Sequence, residues 1–285
     1  MKKKHTNTSE WDTVIASEHS LFDVNFKELW HYRDLLVLFV KRDFVTVYKQ
    51  TILGPLWFFI QPLLTTITFT VIFGNVAQLS TDGAPKIIFY MAGITLWNYF
   101  ANCLTTVSGV FNANAGIFGK VYFPRLIMPL TIVISNLMKF GAQFLLFICF
   151  VVYFTFNHQI TPNSWMLLTP FIILLMAIIS MGIGLILSSM TTKYKDLNQL
   201  IGFGIQLFMY ATPVIYPSSS VPENFKWVLD WNPLVGLFEY MRYAYIGIGT
   251  FDSNSLLYPS VFSIVILLLG ILVFNKTQKT FMDTV

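Results

Sequence analysis

The chain has 285 residues, of which 55% are hydrophobic and only 11% charged. Soluble domains carry roughly 25% charged residues, so this composition excludes a soluble globular protein, and the net charge of +4 does not mark a nucleic-acid surface. Cys103 and Cys149 fall in different apolar tracts without the spacing of a metal site or a disulfide framework, and read as small packing residues.

Residues 1–25 are a polar tail whose first eleven residues are basic and lack the apolar core of a cleavable signal, so the first span is expected to direct insertion. Residues 26–50 follow as an amphipathic helix. Phe26, Leu29, Trp30, Val37, Val40, Phe44 and Val47 recur at steps suited to one helical face, while Lys27, His31, Asp34, Lys41 and Lys49 fall mostly elsewhere. A basic, aromatic helix beside a span suits the membrane interface, either as an anchor or as a contact for a cytoplasmic partner.

From residue 51 onward the chain is dominated by runs without Asp, Glu, Lys or Arg: 50–81, 87–119, 140–192, 197–222 and 253–275. A spanning helix needs about 20 apolar residues. The run 140–192 would extend about 80 Å as a single helix, so it must fold back at the polar, proline-containing stretch 157–164. Residues 51–285 therefore read as an all-α membrane domain of six spans, near 52–74, 87–107, 130–154, 165–190, 197–216 and 256–274. With both termini cytoplasmic, 14 of the 18 basic residues lie inside, three lie outside, and Lys139 falls within a span. That bias sets the orientation. Lys139 either snorkels to the headgroups or marks a pathway or partner.

The cytoplasmic segment 108–125 is a short helix with weak formers at Asn112, Asn114, Gly116 and Gly119, broken where Phe123 precedes Pro124. Gly119-Lys120 is not a phosphate loop, because Asn114 and Val121 occupy the positions where that motif needs Gly and Ser or Thr. The external segment 217–254 is too apolar for a free loop. Leu234, Leu237, Phe238, Met241 and Tyr245 share a helical face and Glu239 can pair with Arg242, which suits short re-entrant or interface-lying helices.

Five motifs occur in order: Tyr48-Lys49-Gln50-Thr51 with Leu53-Gly54-Pro55-Leu56-Trp57; Lys120-Val121-Tyr122-Phe123-Pro124-Arg125; Tyr194-Lys195-Asp196; Thr212-Pro213-Val214-Ile215-Tyr216-Pro217; and Asn232-Pro233-Leu234. Together they resemble the permeases of type-2 ABC exporters, in the branch that exports polysaccharide, O-antigen and teichoic acid. The chain departs from that pattern at Leu126, where an acidic residue is usual, at Lys195 in place of arginine, and at Lys139. The resemblance implies a subunit of the bacterial cytoplasmic membrane, two copies of which enclose one pathway for a lipid-linked glycan. It implies two separate ATPase subunits that bind the ATP and Mg, leaving this chain no cofactor and no catalytic residue of its own. It also implies that 108–122 is the helix docking on the ATPase, with Asn114, Ile117, Phe118, Lys120, Tyr122, Phe123, Pro124 and Arg125 at or beside the contact.

Aromatic faces suit sugar rings, and aromatics make up 17% of the chain. Tyr90, Trp97, Tyr99, Phe100, Tyr210 and Tyr216 are candidates for the pathway, with Gln61 and Gln206 as uncharged polar residues within spans. Each aromatic could equally be an interface anchor, and each glutamine a helix contact. Two other classes stay open. One is a permease for drugs or small lipids. The other is a membrane-embedded acyl- or glycosyltransferase, although His5, His19, His31 and His158 show no ligand spacing and the external acids are scattered.

Overall fold

Proline and glycine punctuate a chain that is otherwise helical. The computed structural model of the chain describes residues 26–49, 52–194, 196–249 and 251–281, so the polar tail 1–25 lies outside the described residues. Two helices, α1 (Phe26–His31) and α2 (Arg33–Tyr48), precede α3 (Trp57–Phe69), which runs on as a wider π-type turn over Thr70–Val76. Then come α4 (Lys86–Ser108), α5 (Val110–Phe118), α6 (Ile127–Phe156), α7 (Thr169–Lys193), α8 (Leu197–Ala211), α9 (Lys226–Asp230), α10 (Val235–Ile246) and α11 (Leu257–Phe281). No strand occurs among the described residues.

Among the described residues, five helical stretches are long and apolar enough to cross a membrane: Gly54–Val76, Lys86–Ser108, Ile127–Phe156, Ser164–Lys193 and Asn254–Gln278. The fold-back of the longest apolar run falls where its polar residues require it. α6 ends at Phe156, His158 takes a left-handed φ of 55°, and the Asn163 side chain accepts from the Trp165 N–H to start the next helix. The stretch expected to span over 197–216 behaves differently. Its helix α8 has 15 residues and rises only about 22 Å, against roughly 30 Å of hydrocarbon. Pro213 has no N–H to continue the helix, and Thr212 before it leaves the helical region at ψ 141°.

α4 is the central element: 16 of its 23 residues are buried, and it packs against α3, α6, α7, α8 and α10. The most extensive helix pair is α7 with α11. Two glycines set its closeness. A Cβ on Gly182 would come within 2.8 Å of the Ile266 backbone, and one on Gly270 would strike the Gly182 carbonyl. Backbones can touch at this crossing because neither position carries a side chain. α10 buries Leu237, Phe238, Met241 and Tyr245, with Leu234 just before it, as the pattern predicts. Its 12 residues rise about 18 Å, too little to cross.

The N-terminal helices correct one detail of the expected apolar face. Phe39 is buried, and Leu29, Tyr32, Leu35 and Leu36 pack beside it, while Trp30 and Val37 stand exposed. The chain turns at Tyr32 (φ −90°, ψ 18°) between α1 and α2, so one continuous helical period does not apply across it. Phe44 stacks on Phe58 at 5.9 Å, and the side chains of Phe26 and Val47 lie outside the described ones.

Candidate functional site

Two constructions stand at opposite ends of α4, roughly 34 Å apart along its 23 residues. At its C-terminal end the chain passes through Gly109 into α5 and then through an irregular turn into α6. A second apolar cluster gathers there. Phe111 stacks on Phe274 of α11 at 4.6 Å, Phe118 packs against Phe111 and Phe123, and Phe123 meets Phe39 of α2. Polar ties reinforce it. Asn112 Nδ2 donates to the Thr191 carbonyl (3.1 Å), and Thr191 Oγ1 donates to the Ser108 carbonyl (2.7 Å), fastening α5 to the end of α7. Arg125 Nη1 donates to the Gln278 carbonyl (2.7 Å) with its guanidinium 5.5 Å from the centre of the Phe118 ring. Burial lowers the Arg125 pKa from its ordinary value, so this cation relies on those partners.

The residues named for the contact segment therefore divide. Phe118 and Phe123 point into the protein, at 5% exposure each, and Ile117 is partly packed behind them. Asn114 donates back to the Val110 carbonyl within α5, and Pro124 and Arg125 are half-buried. Gly116, Lys120, Val121 and Tyr122 form the open side. Tyr122 donates its hydroxyl to Glu28 of α1 (3.4 Å), and its pKa is raised first by burial and then by that carboxylate. The segment is thus a small-residue helix and an exposed turn mounted on an aromatic base that joins α2, α6, α7 and α11.

At the other end, the chain leaves α8 and crosses 212–217 as a non-helical turn. The last carbonyls of a helix lack partners within it. Here each is met by a specific group. Thr212 Oγ1 donates to the Phe208 carbonyl, the Tyr216 hydroxyl to the Tyr210 carbonyl (2.9 Å), and Asn232 Nδ2 to the Ala211 carbonyl (3.2 Å) and to Thr212 Oγ1 (2.9 Å). Asn232 Oδ1 accepts from the Leu234 N–H, so the Asn232-Pro233-Leu234 motif ties the turn to the start of α10. Arg242, only 2% exposed, serves the next carbonyls: Nη2 donates to Pro213 (2.5 Å) and Val214 (3.1 Å), and Nη1 to Tyr216 (3.1 Å). Its guanidinium lies 4.1 Å from the centre of the Phe89 ring, and Gly93 leaves room for the Val214 carbonyl against α4.

The pathway candidates separate in the same way. Tyr90, Trp97, Tyr99 and Phe100 are buried inside the chain; Trp97 and Phe100 meet Phe208 of α8, and Tyr99 meets Phe140 of α6. Gln61, Gln206 and Tyr210 are exposed, and Tyr216 is half-buried with its ring turned back to cap α8. Lys139 is half-buried. Its ammonium donates to Asn136 Oδ1 (3.2 Å) and lies in electrostatic range of Asp43 on α2. Sequence reasoning gave no role to Gly93 or Thr191, read Asn112 only as a weak helix former and Asn232 only as part of a family motif, and saw Arg242 as an external basic residue and a partner for Glu239. A legible signal existed for two of them: a helix ended by Pro213 leaves carbonyls that a nearby Asn and an Arg in an apolar stretch must serve.

A bundle of long apolar helices, with a fixed turn at one end and a mounted helix at the other, defines a multi-pass α-helical membrane protein built to present different structures at its two ends. Residues 34–246 match the family described as ABC-2 type transporter. The chain belongs to that family. It is 32% identical over 252 residues to an O-antigen export system permease protein, RfbA, of Klebsiella pneumoniae, covering 88% of this chain and 94% of that one. It is 23% identical over 261 residues to the RfbA O-antigen export permease of Myxococcus xanthus, covering 91% and 98%. With the polysialic acid transport protein KpsM of Escherichia coli the identity is 22% over 247 residues, covering 85% and 93%.

Proposed function

We propose that this chain is the membrane subunit of an ATP-driven exporter of lipid-linked polysaccharide, of the O-antigen, capsule or teichoic acid type, in the bacterial inner membrane. The observation that carries the reading is the near-complete alignment with an O-antigen export permease at 32% identity. The structure supports the division of labour. Gly116, Lys120, Val121 and Tyr122 offer an exposed patch, on a base rigid enough to pass a push from an ATPase into α2, α6, α7 and α11. ATP and Mg belong to that partner.

Two copies of the chain enclose the pathway, and α8 is the element that faces it or the second copy. Among its residues only Ile205 is buried, whereas Leu200, Phe203, Leu207 and Tyr210 stand open on a helix that would otherwise pack as tightly as α4. In this arrangement Gln206 and Tyr210 are the pathway residues of α8, Gln61 faces outward from α3, and the buried Tyr90, Trp97, Tyr99 and Phe100 support the wall. α8 with the turn 212–217 forms the sixth crossing, α10 enters the membrane from outside without spanning it, and both termini are cytoplasmic. Deleting the chain should abolish surface polysaccharide and leave lipid-linked polymer inside the cell. Unchanged surface polymer, with lost resistance to a toxic small molecule, would assign it to drug export instead.

A further inference from the structure

The polar side chains at the N-terminal end of α4 form one connected set. Ser219 Oγ donates to both carboxylate oxygens of Asp82, at 2.9 Å each, linking the turn after α8 to the loop before α4 across 137 residues. Next to it, Ser218 Oγ donates to Glu239 Oε1 of α10 (2.6 Å), and Glu239 pairs with Arg242 at 3.5 Å. Asp82 is held at φ 49°, with its N–H donating to Ser80 Oγ (3.1 Å). A left-handed non-glycine residue is uncommon and persists where its surroundings fix it. The set is also incompletely satisfied. Arg242 Nε and the Tyr90 hydroxyl are fully buried without a hydrogen-bond partner among the described residues, and the charge of Arg242 reaches Tyr90.

A serine hydroxyl on a carboxylate makes the bond that a sugar hydroxyl makes. Arg242 and the Ser218–Glu239 bond fasten the turn to α10, whereas the Asp82–Ser219 bonds are exposed and tie that unit to the loop before α4. We propose that Asp82 is a sugar-hydroxyl site whose resting occupant is Ser219, and that a hydroxyl of the passing glycan displaces the serine and unfastens the turn from the loop. Glu239 with Ser218 repeats the arrangement beside it, and the buried Arg242 cation stands within electrostatic range of Asp82. This inference rests on the carbohydrate cargo proposed above. It makes the outer end of the path respond to the cargo's own hydroxyls.

The test uses the full chain with its ATPase in cells lacking the chromosomal copy, reading surface polymer at matched protein level. Ser219→Ala removes the competitor and should raise export about twofold, as removal of a competing closed state does. Asp82→Asn weakens a charge-assisted bond and should lower export about tenfold. Equal losses in the two variants would show a structural bond and overturn the proposal. Asp82→Cys with Ser219→Cys supplies the second reading: its export, already low for want of the carboxylate, should fall further and reversibly on oxidation, with either single cysteine unaffected by oxidant, and a residual export that cross-linking leaves unchanged would also overturn the proposal. If the unmodified chain restores no surface polymer, the cargo assignment has failed, a result distinct from both.

Discussion

Arg125, in the turn before α6, donates to the carbonyl of Gln278 near the end of α11, at 2.7 Å across 153 residues of chain. The same guanidinium covers Phe118, the last residue of α5. One side chain therefore joins the exposed turn, the mounted helix and the final helix of the bundle. Arg125→Lys keeps the charge but loses the planar face on Phe118 and the geometry of the bond. The expected cost is about 1–2 kcal/mol, read as a lower thermal midpoint of the purified protein in detergent. An unchanged midpoint would mean that the contact contributes nothing to stability.

Phe118 and Val121 are three residues apart and face opposite ways, one 5% and the other 58% exposed. Phe118→Asp places a carboxylate among Phe111, Phe123 and Phe274 and should destabilise the protein by more than about 3 kcal/mol, reducing the amount of folded chain. Val121→Asp should leave folding intact and reduce the ATPase that co-purifies by about tenfold, the equivalent of about 1.4 kcal/mol at the contact. Full ATPase recovery with Val121→Asp would move the docking surface away from this turn.

The orientation is checked at two exposed positions. Cysteines in place of Lys193, at the end of α7, and Ser220, after the turn that follows α8, lie on opposite sides of the proposed membrane. An impermeant thiol reagent on intact cells should label the second and leave the first until the membrane is opened. Labelling of both before opening would break the topology.

Long charge-free runs and a polar fold-back located most of the fold, because both follow from the bilayer's intolerance of unpaired polar groups. The face of α10 was legible for the same reason as any amphipathic helix: Leu234, Leu237, Phe238, Met241 and Tyr245 keep helical spacing and all are buried. α2 was less so, since apolar residues ring much of it and the turn at Tyr32 resets the phase; Phe39 rather than Val37 points inward. The stretch 197–216 read in sequence as one span because hydropathy continues through Thr212–Pro213, whereas its helix ends at Ala211. Site chemistry was hardest. Phe118 looks like a residue for a partner in sequence, but the aromatic residues that bury it come from positions 39, 111, 123 and 274, which no local pattern brings together.

Tyr216 and Asn232 offer the most direct measure of how the turn after α8 is held. The Tyr216 hydroxyl caps the Tyr210 carbonyl, and Asn232 covers the Ala211 carbonyl and Thr212 Oγ1. Tyr216→Phe removes only the hydroxyl and keeps the ring, so it separates capping from stacking. If capping is the contribution, Tyr216→Phe should cost about 1 kcal/mol and slow export nearly as much as Tyr216→Ala. If the ring guides sugars, Tyr216→Phe should export normally and only Tyr216→Ala should be slow. Asn232→Leu should be the more severe change, because it leaves the Ala211 carbonyl and the buried Thr212 hydroxyl oxygen without their donor and the Leu234 N–H without its acceptor. A loss of about 2–3 kcal/mol is expected from that site, measured as thermal stability, with export falling in step. The geometry favours capping, since the Tyr216 ring is folded back along α8 rather than free to meet a ligand. Normal stability and normal export in Tyr216→Phe would return the residue to the pathway.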